Sequence, residues 1–249
     1  MSFRDHSAWL KGGRFRCRQA PPKPVRPVRF VLLGAPGVGK GTQADLLSQY
    51  FGACHLSTGE IFRAARTAND SASRPMREAL ECMTRGELVP DETVLALVAE
   101  RIGCLRCRGG FLLDGFPRTV AQAEALEALL AVHRIQLDAV LNYELPIAAI
   151  VARLAFRRTC PRCKKVFHVE TVGESGVCDR CGCGLIQRED DRLESIRVRM
   201  KVFRREAAPL MAYYKARKLL LSVPATGSPE AILNRTLESP AFYSCMNRV

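Results

Sequence analysis

Residues 34–42 carry the pattern that points most directly to chemistry. They read GAPGVGKGT and match the phosphate-binding pattern G-x-x-x-x-G-K-[ST] if one extra glycine is allowed before the hydroxyl. Glycines let backbone N–H groups turn inward around phosphate oxygens, and the following helix start adds its positive dipole end. The segment predicts a nucleotide site in which Lys40 reaches the outer phosphates and Thr42 lies near a bound Mg2+. The alternative is a glycine-rich turn that carries a lysine by coincidence.

A second group of residues predicts a metal site. Four cysteines form two C-x-x-C pairs that are separated by fourteen residues: Cys160, Cys163, Cys178 and Cys181. Four thiolates at a spacing close to that of zinc ribbons give a closed, tetrahedral Zn2+ site, which is structural rather than catalytic. A redox pair or a coincidence is the alternative. Three other cysteines are expected to be incidental: Cys104, Cys107 and Cys183.

Arginines beside glycine turns, at strand ends and near the cysteine segment supply the positive charge that phosphoryl transfer requires. With Lys40, we nominate six of them: Arg63, Arg118, Arg153, Arg157, Arg188 and Arg199. Guanidinium groups bind phosphate in a planar, bidentate way that lysine cannot reproduce. Asp114 ends an apolar run and is a candidate for holding a Mg2+-bound water. The histidines at 6, 55, 133 and 168 are scattered, so no general base is predicted, and an anionic phosphate acceptor needs none.

These residues require a scaffold of alternating strands and helices. Apolar runs predict five strands, at residues 28–33, 53–56, 110–115, 139–145 and 219–223. Helical patterns predict helices at 40–51, 57–65, 75–84, 91–102, 119–130, 146–158, 189–217 and 229–237. This alternation predicts an α/β fold, with a parallel sheet covered by helices on both faces. Ligands of such sheets bind at the carboxyl ends of the strands, where Asp114 lies.

Composition bounds the function classes. The 249 residues are 47% hydrophobic, which suffices for one large α/β domain. No apolar run approaches the roughly 18–20 residues that span a bilayer, so no membrane partner is expected. Eleven cysteines without a secretion signal favour a reducing compartment and a metal site over disulfides. The net charge of +13 suits polyanionic ligands, whether nucleotides or nucleic acid.

Residues 1–28 are basic and rich in proline, and we expect them to form a disordered extension. The alternative is a mitochondrial presequence, because the segment is rich in arginine and nearly free of acidic residues, although it is poor in serine. A secretory signal is disfavoured because an apolar core of about 7–15 residues is missing. We therefore expect a cytoplasmic protein, or a mitochondrial one if the segment is a presequence.

Taken together, the motifs resemble those of adenylate kinase, the family that interconverts ATP plus AMP and two molecules of ADP. The resemblance runs from about residue 29 to 238 and rests on GAPGVGKGTQ at 34–43, LSTGEIFRAA at 56–65, GELVPDETV at 86–94, GFLLDGFPRTVAQAEAL at 110–126 and QREDDRLESIRVRM at 187–200. The cysteine segment resembles the zinc-bearing form of the family's long lid. One departure is Ala155-Phe156, which replaces a small-Gly pair before the lid, so lid motion is expected to be slower.

The resemblance implies a domain over residues 29–240 with three parts. The core would be a P-loop NTPase-type sheet of five parallel strands with helices on both faces, formed by 29–56, 87–157 and 190–240. A helical monophosphate-binding insertion would occupy 57–86, and a small zinc-bound lid would occupy 158–189. Closure of the last two parts over the substrates would exclude water.

The resemblance also implies residue roles. The predicted ATP contacts are Gly37, Val38, Gly39, Lys40, Gly41, Thr42, Arg153, Val166, Phe167, Gly227 and Ser228. The predicted AMP contacts are Thr58, Arg63, Glu87, Leu88, Val89, Gly115, Phe116, Pro117, Arg118, Gln122, Arg188 and Arg199. The predicted catalytic residues are Lys40, Arg118, Arg157, Arg188 and Arg199, with Asp190 and Asp191 holding the lid arginines. Thr58 and Gln122 resemble the AMP-selective form.

Other functions compete with this one. A relative that prefers GTP as the donor would share these motifs. A zinc-ribbon nucleic-acid-binding protein would use the positive charge, but only 7% of the residues are aromatic and the phosphate-loop lysine would have no role. A redox or structural use of the thiols ignores the loop. We therefore expect a monomeric enzyme with ATP, AMP and ADP as ligands, Mg2+ and structural Zn2+ as cofactors, and no nucleic-acid partner.

Overall fold

The computed structural model of the 249-residue chain describes residues 7–11, 26–67, 74–84, 89–163, 165–168, 176–188 and 191–246. Strands β1 to β7 span Val28–Gly34, Cys54–Ser57, Gly110–Asp114, Ala139–Glu144, Arg157–Thr159, Val166–His168 and Leu220–Pro224. Helices α1 to α11 span Ser7–Lys11, Lys40–Phe51, Thr58–Thr67, Arg74–Thr84, Asp91–Ala99, Ile102–Leu105, Val120–Val132, Ile147–Ala155, Leu193–Ala216, Pro229–Leu237 and Pro240–Met246. In this part of the chain, every helix is too short or too polar to cross a bilayer.

Five strands form a parallel sheet in the order β2-β3-β1-β4-β7. The register places Leu32 of β1 and Ser57 of β2 level with Asp114 of β3. The loops that follow these three strands therefore start at the same carboxyl edge of the sheet, where parallel sheets bind their ligands. This arrangement confirms the predicted α/β fold with five parallel strands.

Alternate residues of the central strand β1 face two separate cores. Val31 and Leu33 pack in the cluster that includes residues of α3, α5, α7 and α9. Phe30 and Leu32 pack on the opposite face with residues of α2, α10 and α11. Because helices cover both faces, β1 has no solvent-facing side, which explains why its residues 30–33 are all apolar rather than alternating.

The region where the predicted lid joins the core differs from the sequence-based expectation. Helix α8 ends at Ala155, and Arg157–Thr159 forms strand β5, which pairs antiparallel with Val166–His168 of β6. The predicted helix over 146–158 is therefore wrong at its end. The pairing of β5 with β6, and the bridge between Thr159 and Ile186, draw these residues into the lid's own small sheet.

Three smaller differences concern helix boundaries. The helix predicted over 91–102 is divided into α5 and α6 by Glu100 and Arg101. The helix predicted over 189–217 begins at Leu193, although residues 189–190 lie outside the described residues. An unpredicted helix, α11, packs Phe242 against Phe30 with ring centroids 5.6 Å apart, which explains its attachment to the sheet.

The N-terminal segment also differs from the prediction. Residues 7–11 form helix α1, and Trp9 is only 1% exposed because its ring packs into the larger core cluster. The expectation of a disordered extension over residues 1–28 is therefore wrong for these five residues, and also at its end, where Arg26 pairs with Asp138 and Val28 begins β1. The other predicted extension residues up to 25 lie outside the described residues.

Truncating the sheet core tests this packing. Leu113 of β3 is 0% exposed, and Leu113→Ala should lower the free energy of unfolding by about 2–5 kcal/mol, because it leaves a cavity. Val132→Ala is the control, because Val132 is 78% exposed and its truncation should change stability by less than about 0.5 kcal/mol. Urea denaturation monitored by circular dichroism measures both. Equal losses for the two variants would contradict the assigned core.

Candidate active site

The loop between β1 and α2 is shaped by its glycines. Gly37 and Gly39 have φ values of 84° and 108°, a region that disfavours other residues. A Cβ atom on Gly37 would also lie only 2.6 Å from Cγ of Leu154, so a larger residue has no room. Gly39 directly precedes helix α2, which begins at Lys40. The chain therefore has the strand, glycine loop and helix that the phosphate-binding motif requires.

Lys40 lies inside this loop. Its Nζ donates to the carbonyl oxygens of Gly34 at 2.7 Å and Ala35 at 3.0 Å. Burial lowers the pKa of Lys40 to about 8, although the charge of Asp114 opposes that shift. Three further positive charges lower the pKa of Lys40 as well, in the order Arg118, Arg199 and Arg157. The structure therefore brings together four of the five predicted catalytic cations.

Asp114 provides a negative charge beside the loop. Its Oδ2 lies 3.7 Å from the position that a Cβ atom on Gly41 would occupy. Burial alone would raise the pKa of Asp114, but the hydrogen bond and charge of His55 and the charges of Lys40 and Arg118 lower it to about 2. The carboxylate is therefore ionised at neutral pH, as a residue facing Mg2+-bound water must be.

His55 is a site residue that the sequence reasoning missed. Its Nε2 lies 3.4 Å from Oδ2 of Asp114, and its Nδ1 lies 2.9 Å from Oδ1 of Asp45. Burial alone would lower the pKa of His55, but the two carboxylates outweigh it and raise that pKa to about 10. The sequence did offer one signal: His55 lies near the end of one predicted strand, and Asp114 lies at the end of another. In the structure these strands are neighbours, so the two side chains meet.

Asp191 forms ion pairs with two of the predicted arginines. Arg157 donates to both of its carboxylate oxygens, from Nε at 2.7 Å and from Nη2, and Arg199 donates to it from 3.5 Å. The Asp191 side chain is fully buried, so it acts as a shared counter-ion. Arg188 is held separately, because its Nε donates to Oγ1 of Thr159 at 2.8 Å. Asp190 lies outside the described residues.

The predicted AMP residues converge where β2 and β3 end. Thr58 Oγ1 lies 3.4 Å from the Asp114 carbonyl oxygen. Gly115 has a φ of 86°, and a Cβ atom there would lie 2.8 Å from Thr58 Oγ1 and 3.4 Å from Nη2 of Arg118. Arg63 folds back over the start of its own helix, since a Cβ atom on Gly59 would lie 2.9 Å from its Nη1.

Gln122 is fixed by a polar network beside this site. Its Oε1 accepts from the Arg118 backbone N–H at 2.7 Å, and its Nε2 donates to Oδ1 of Asp91 at 2.6 Å. Phe116 and Pro117, which are joined by a cis peptide bond, are buried between Gly115 and Arg118. Val89 is buried in the core, whereas the predicted contacts Glu87 and Leu88 lie outside the described residues.

Arg153 connects the loop to the C-terminal part of the chain. Its guanidinium donates to the carbonyl oxygens of Val38 at 3.2 Å and Ala225 at 3.3 Å. Gly227, with a φ of 95°, and Ser228, which caps helix α10 by accepting from the Ala231 N–H, follow directly. The predicted ATP residues of the loop, α8 and the C-terminal segment are therefore close together.

The two predicted lid contacts are not equivalent. Val166 is 39% exposed, whereas Phe167 is 9% exposed and packs with Cys160 and Cys178. Phe167 thus belongs to the interior of the small cluster formed with these cysteines. Of this pair, only Val166 has enough exposed side-chain surface to contact a nucleotide.

The four predicted zinc ligands form a compact group. Their Sγ atoms all lie within 4.8 Å of one another, with 3.4 Å between Cys160 and Cys181 and 3.5 Å between Cys163 and Cys178. A tetrahedral zinc site with Zn–S bonds of 2.3 Å requires Sγ atoms about 3.8 Å apart, so the group fits that ion. Within the described residues, no other group of three or more potential metal ligands occurs, and Cys107 lies 3.9 Å from Cys54 instead.

Comparison with known proteins identifies the family. The family model described as adenylate kinase matches residues 32–219. The adenylate kinase of Thermodesulfovibrio yellowstonii is 46% identical over 209 residues, which cover 83% of this chain and 96% of that relative. The chain belongs to the adenylate kinase family. It is accordingly a nucleoside monophosphate kinase that converts ATP and AMP into two molecules of ADP.

Other adenylate kinases match over a similar length. The enzyme of Acidothermus cellulolyticus is 44% identical over 220 residues, covering 87% of this chain and all of that relative. The enzyme of Archaeoglobus fulgidus is 41% identical over 207 residues, covering 82% of this chain and 94% of that relative. The expected resemblance to adenylate kinase is thus confirmed over most of the chain.

The network around His55 predicts a pH-dependent stability. A histidine whose folded pKa is raised stabilises the fold fully below its unfolded pKa of about 6.5, and this stabilisation is lost as the pH rises towards 10. His55→Gln should therefore cost roughly 3 kcal/mol at pH 6, the scale for breaking a buried ion pair. The cost should shrink between about pH 6.5 and 10.

Denaturant unfolding of the nucleotide-free protein across this pH range measures that difference. His133→Gln is the matched control, because it replaces a histidine at the end of α7, away from both aspartates. The interpretation fails if the cost of His55→Gln stays constant or grows as the pH rises.

Proposed function

We propose that the chain transfers the γ-phosphoryl group directly from ATP to AMP, with five cations stabilising the transferring group: Lys40, Arg118, Arg157, Arg188 and Arg199. The observation that supports this most is geometric: the Lys40 ammonium lies in the glycine loop, Asp114 lies beside Gly41, and Asp191 pairs with Arg157 and Arg199. Phosphoryl transfer depends chiefly on positioning and on neutralising negative charge. A cluster of cations around a phosphate loop meets both needs.

In the proposed reaction, an AMP phosphate oxygen forms a bond to the γ-phosphorus of ATP. The bond between that phosphorus and the oxygen bridging the β- and γ-phosphates breaks, and both products are ADP. The attacking oxygen is already anionic, so no side chain has to remove a proton. His55, the histidine beside the site, is held between two carboxylates and takes no part in proton transfer.

We assign Asp114 to the Mg2+ that adenylate kinases use with ATP. The ionised carboxylate beside Gly41, together with the Thr42 hydroxyl, provides the oxygen ligands and water contacts that Mg2+ favours. When bound, Mg2+ neutralises charge on the β- and γ-phosphates. The role of Asp114 is then to orient the water shell, and His55 keeps that carboxylate ionised and fixed.

We also propose which residues bind ATP and which bind AMP. The loop residues Gly37 to Thr42, with Arg153 and the segment at Gly227 and Ser228, bind ATP. AMP is bound by Thr58, Arg63, Val89, residues 115–118 and Gln122. Residues 57–86, which contain the first two of these, are proposed as the AMP-binding region, and residues 158–189 are proposed as the lid. Closing both parts would exclude water and so prevent transfer of the phosphoryl group to water.

The four lid cysteines are proposed to hold a structural Zn2+. Their mutual distances support this, as does the lid's own cluster, in which Phe167 and Leu185 accompany five cysteines. So small a cluster provides little apolar burial, so a metal would have to stabilise it. The monomeric state and the cytoplasmic location, with a mitochondrial alternative, stay predictions from the sequence.

An assay of ADP formation tests the reaction. With ATP and Mg2+, AMP should support turnover far better than other monophosphates. Lys40→Met should lower kcat/KM by at least about 100-fold, the usual effect of removing one charge-stabilising donor. Lys215→Met, which changes an exposed lysine on α9, is the control. Folded protein that turns over no monophosphate would contradict the proposal.

Metal analysis tests the lid. The purified protein should contain about one Zn2+ per chain, because four ligands complete one tetrahedral site. Cys163→Ser should lose most of that zinc and become sensitive to proteolysis between residues 158 and 189. Cys183→Ser should keep it, since Cys183 is outside the group of four. Equal zinc content in the two variants would argue against the assigned ligands.

A further inference from the structure

Helix α1 is an addition to the part of the chain that defines the family. The family model begins at residue 32, whereas α1 spans Ser7–Lys11. Despite this separation, α1 packs against α3, and Trp9 is buried among the residues of the larger core cluster. The contacts of Trp9 show which part of the molecule this addition affects.

The Trp9 indole binds the base of α3. Its Nε1 donates to the carbonyl oxygen of Ser57 at 3.0 Å, and the bond is buried. Ser57 is the last residue of β2, which lies at the edge of the sheet, and Thr58 follows as the first residue of α3. The indole therefore fixes the peptide group that joins the sheet edge to α3.

Arg101 anchors the other side of α1. Its Nε donates to the carbonyl oxygen of Trp9 at 2.5 Å, and its Nη1 donates to that of Leu97 at 2.7 Å. The Arg101 side chain is only 2% exposed and pairs with Glu100 at 3.1 Å. Through these bonds, α1 connects the end of α5 to the start of α3. Helix α3 begins residues 57–86, the proposed AMP-binding region, and α5 follows that region in the chain.

The fixed peptide leads directly to the AMP site. Thr58 Oγ1 lies 3.4 Å from the carbonyl oxygen of Asp114 and in the space beside Gly115, where a Cβ atom would lie only 2.8 Å away. A small rotation of the Ser57–Thr58 peptide would move this hydroxyl. Such a rotation would leave the phosphate loop, which follows a different strand, in place.

We propose that Trp9 and Arg101 are positioning residues for AMP: they hold the start of α3 so that Thr58 faces the monophosphate site. This inference rests on the proposed role of Thr58 in AMP binding. Neither residue contacts the groups assigned to ATP, so their effect is specific to the acceptor. The N-terminal segment thus sets the affinity for AMP through one buried hydrogen bond at the base of the AMP-binding region.

Trp9→Phe is the sharpest test, because it keeps an aromatic ring and removes the N–H donor. It should raise KM for AMP roughly three- to tenfold, which corresponds to the loss of one buried hydrogen bond. KM for ATP and kcat should stay within about twofold, because the ATP residues keep their contacts. Phe242→Leu is the matched control: it reduces packing on the opposite face of the sheet and should leave KM for AMP unchanged.

Arg101→Lys provides a second variant that retains the positive charge but loses the fork that holds two carbonyl oxygens. It should shift KM for AMP in the same direction as Trp9→Phe. Because Trp9 is the chain's only tryptophan, wild-type fluorescence adds a spectroscopic signature. AMP should change the emission at concentrations near its KM, whereas ATP alone should change it less.

Thr58→Val distinguishes an error in the proposed AMP site from an error in the proposed positioning role. If Thr58→Val leaves KM for AMP unchanged, the proposed AMP site is wrong. If Thr58→Val raises KM for AMP while Trp9→Phe and Arg101→Lys do not, the site stands and the positioning role is overturned. An equal rise in KM for ATP and AMP in the Trp9→Phe variant would also overturn it, because that pattern reports general loss of structure.

Discussion

The site depends on how the structure limits the repulsion between several positively charged side chains. Lys40 and several arginines would receive the phosphates of ATP and AMP. These side chains must lie close together before the phosphates arrive, and they repel one another. Two carboxylates reduce this repulsion: the partly buried Asp114 beside the loop, and the fully buried Asp191 between Arg157 and Arg199. Burial contributes most to the lowered pKa of Lys40, but the charges of Arg118, Arg199 and Arg157 lower it further, so part of the repulsion remains. Incomplete compensation favours binding, because incoming phosphates then remove a repulsion that the empty site retains.

The parallel sheet is what places these charges. The loops after β1, β2 and β3 leave from one edge, so the phosphate loop, Thr58 and Asp114 become neighbours although they are distant along the chain. His55 adds a second layer, because its bonds to Asp45 and Asp114 connect α2 to the adjacent strand ends. A carboxylate fixed by a protonated histidine keeps its charge and its direction, and both are required of a residue that orients a metal's water shell.

Sequence reasoning reached the parts of the site that are encoded locally. The phosphate loop, the cysteine pairs and the strand ending in Asp114 are continuous segments whose spacing alone constrains their structure. It missed His55 and Trp9 because each depends on partners far away in the chain: Asp114 for His55, and Ser57 and Arg101 for Trp9. It also extended α8 to Arg158, since helical periodicity carries no information about the pairing of β5 with β6. Phe167 was expected to contact the nucleotide, but its side chain packs in the cysteine cluster.

Each part proposed to close over the substrates is attached to the core by a few buried polar contacts. The start of α3 is held by Trp9, and β5 at the base of the lid is held through Arg157 by Asp191. One neutral hydrogen bond contributes about 0.5–1.5 kcal/mol, enough to change the ratio of two conformations roughly two- to tenfold. A contact of the size of the Trp9 hydrogen bond cannot lock a domain, yet it can set how often α3 adopts the binding geometry; the charged pair of Arg157 and Asp191 is stronger. An N-terminal addition can therefore adjust affinity for one substrate without altering any group that touches it.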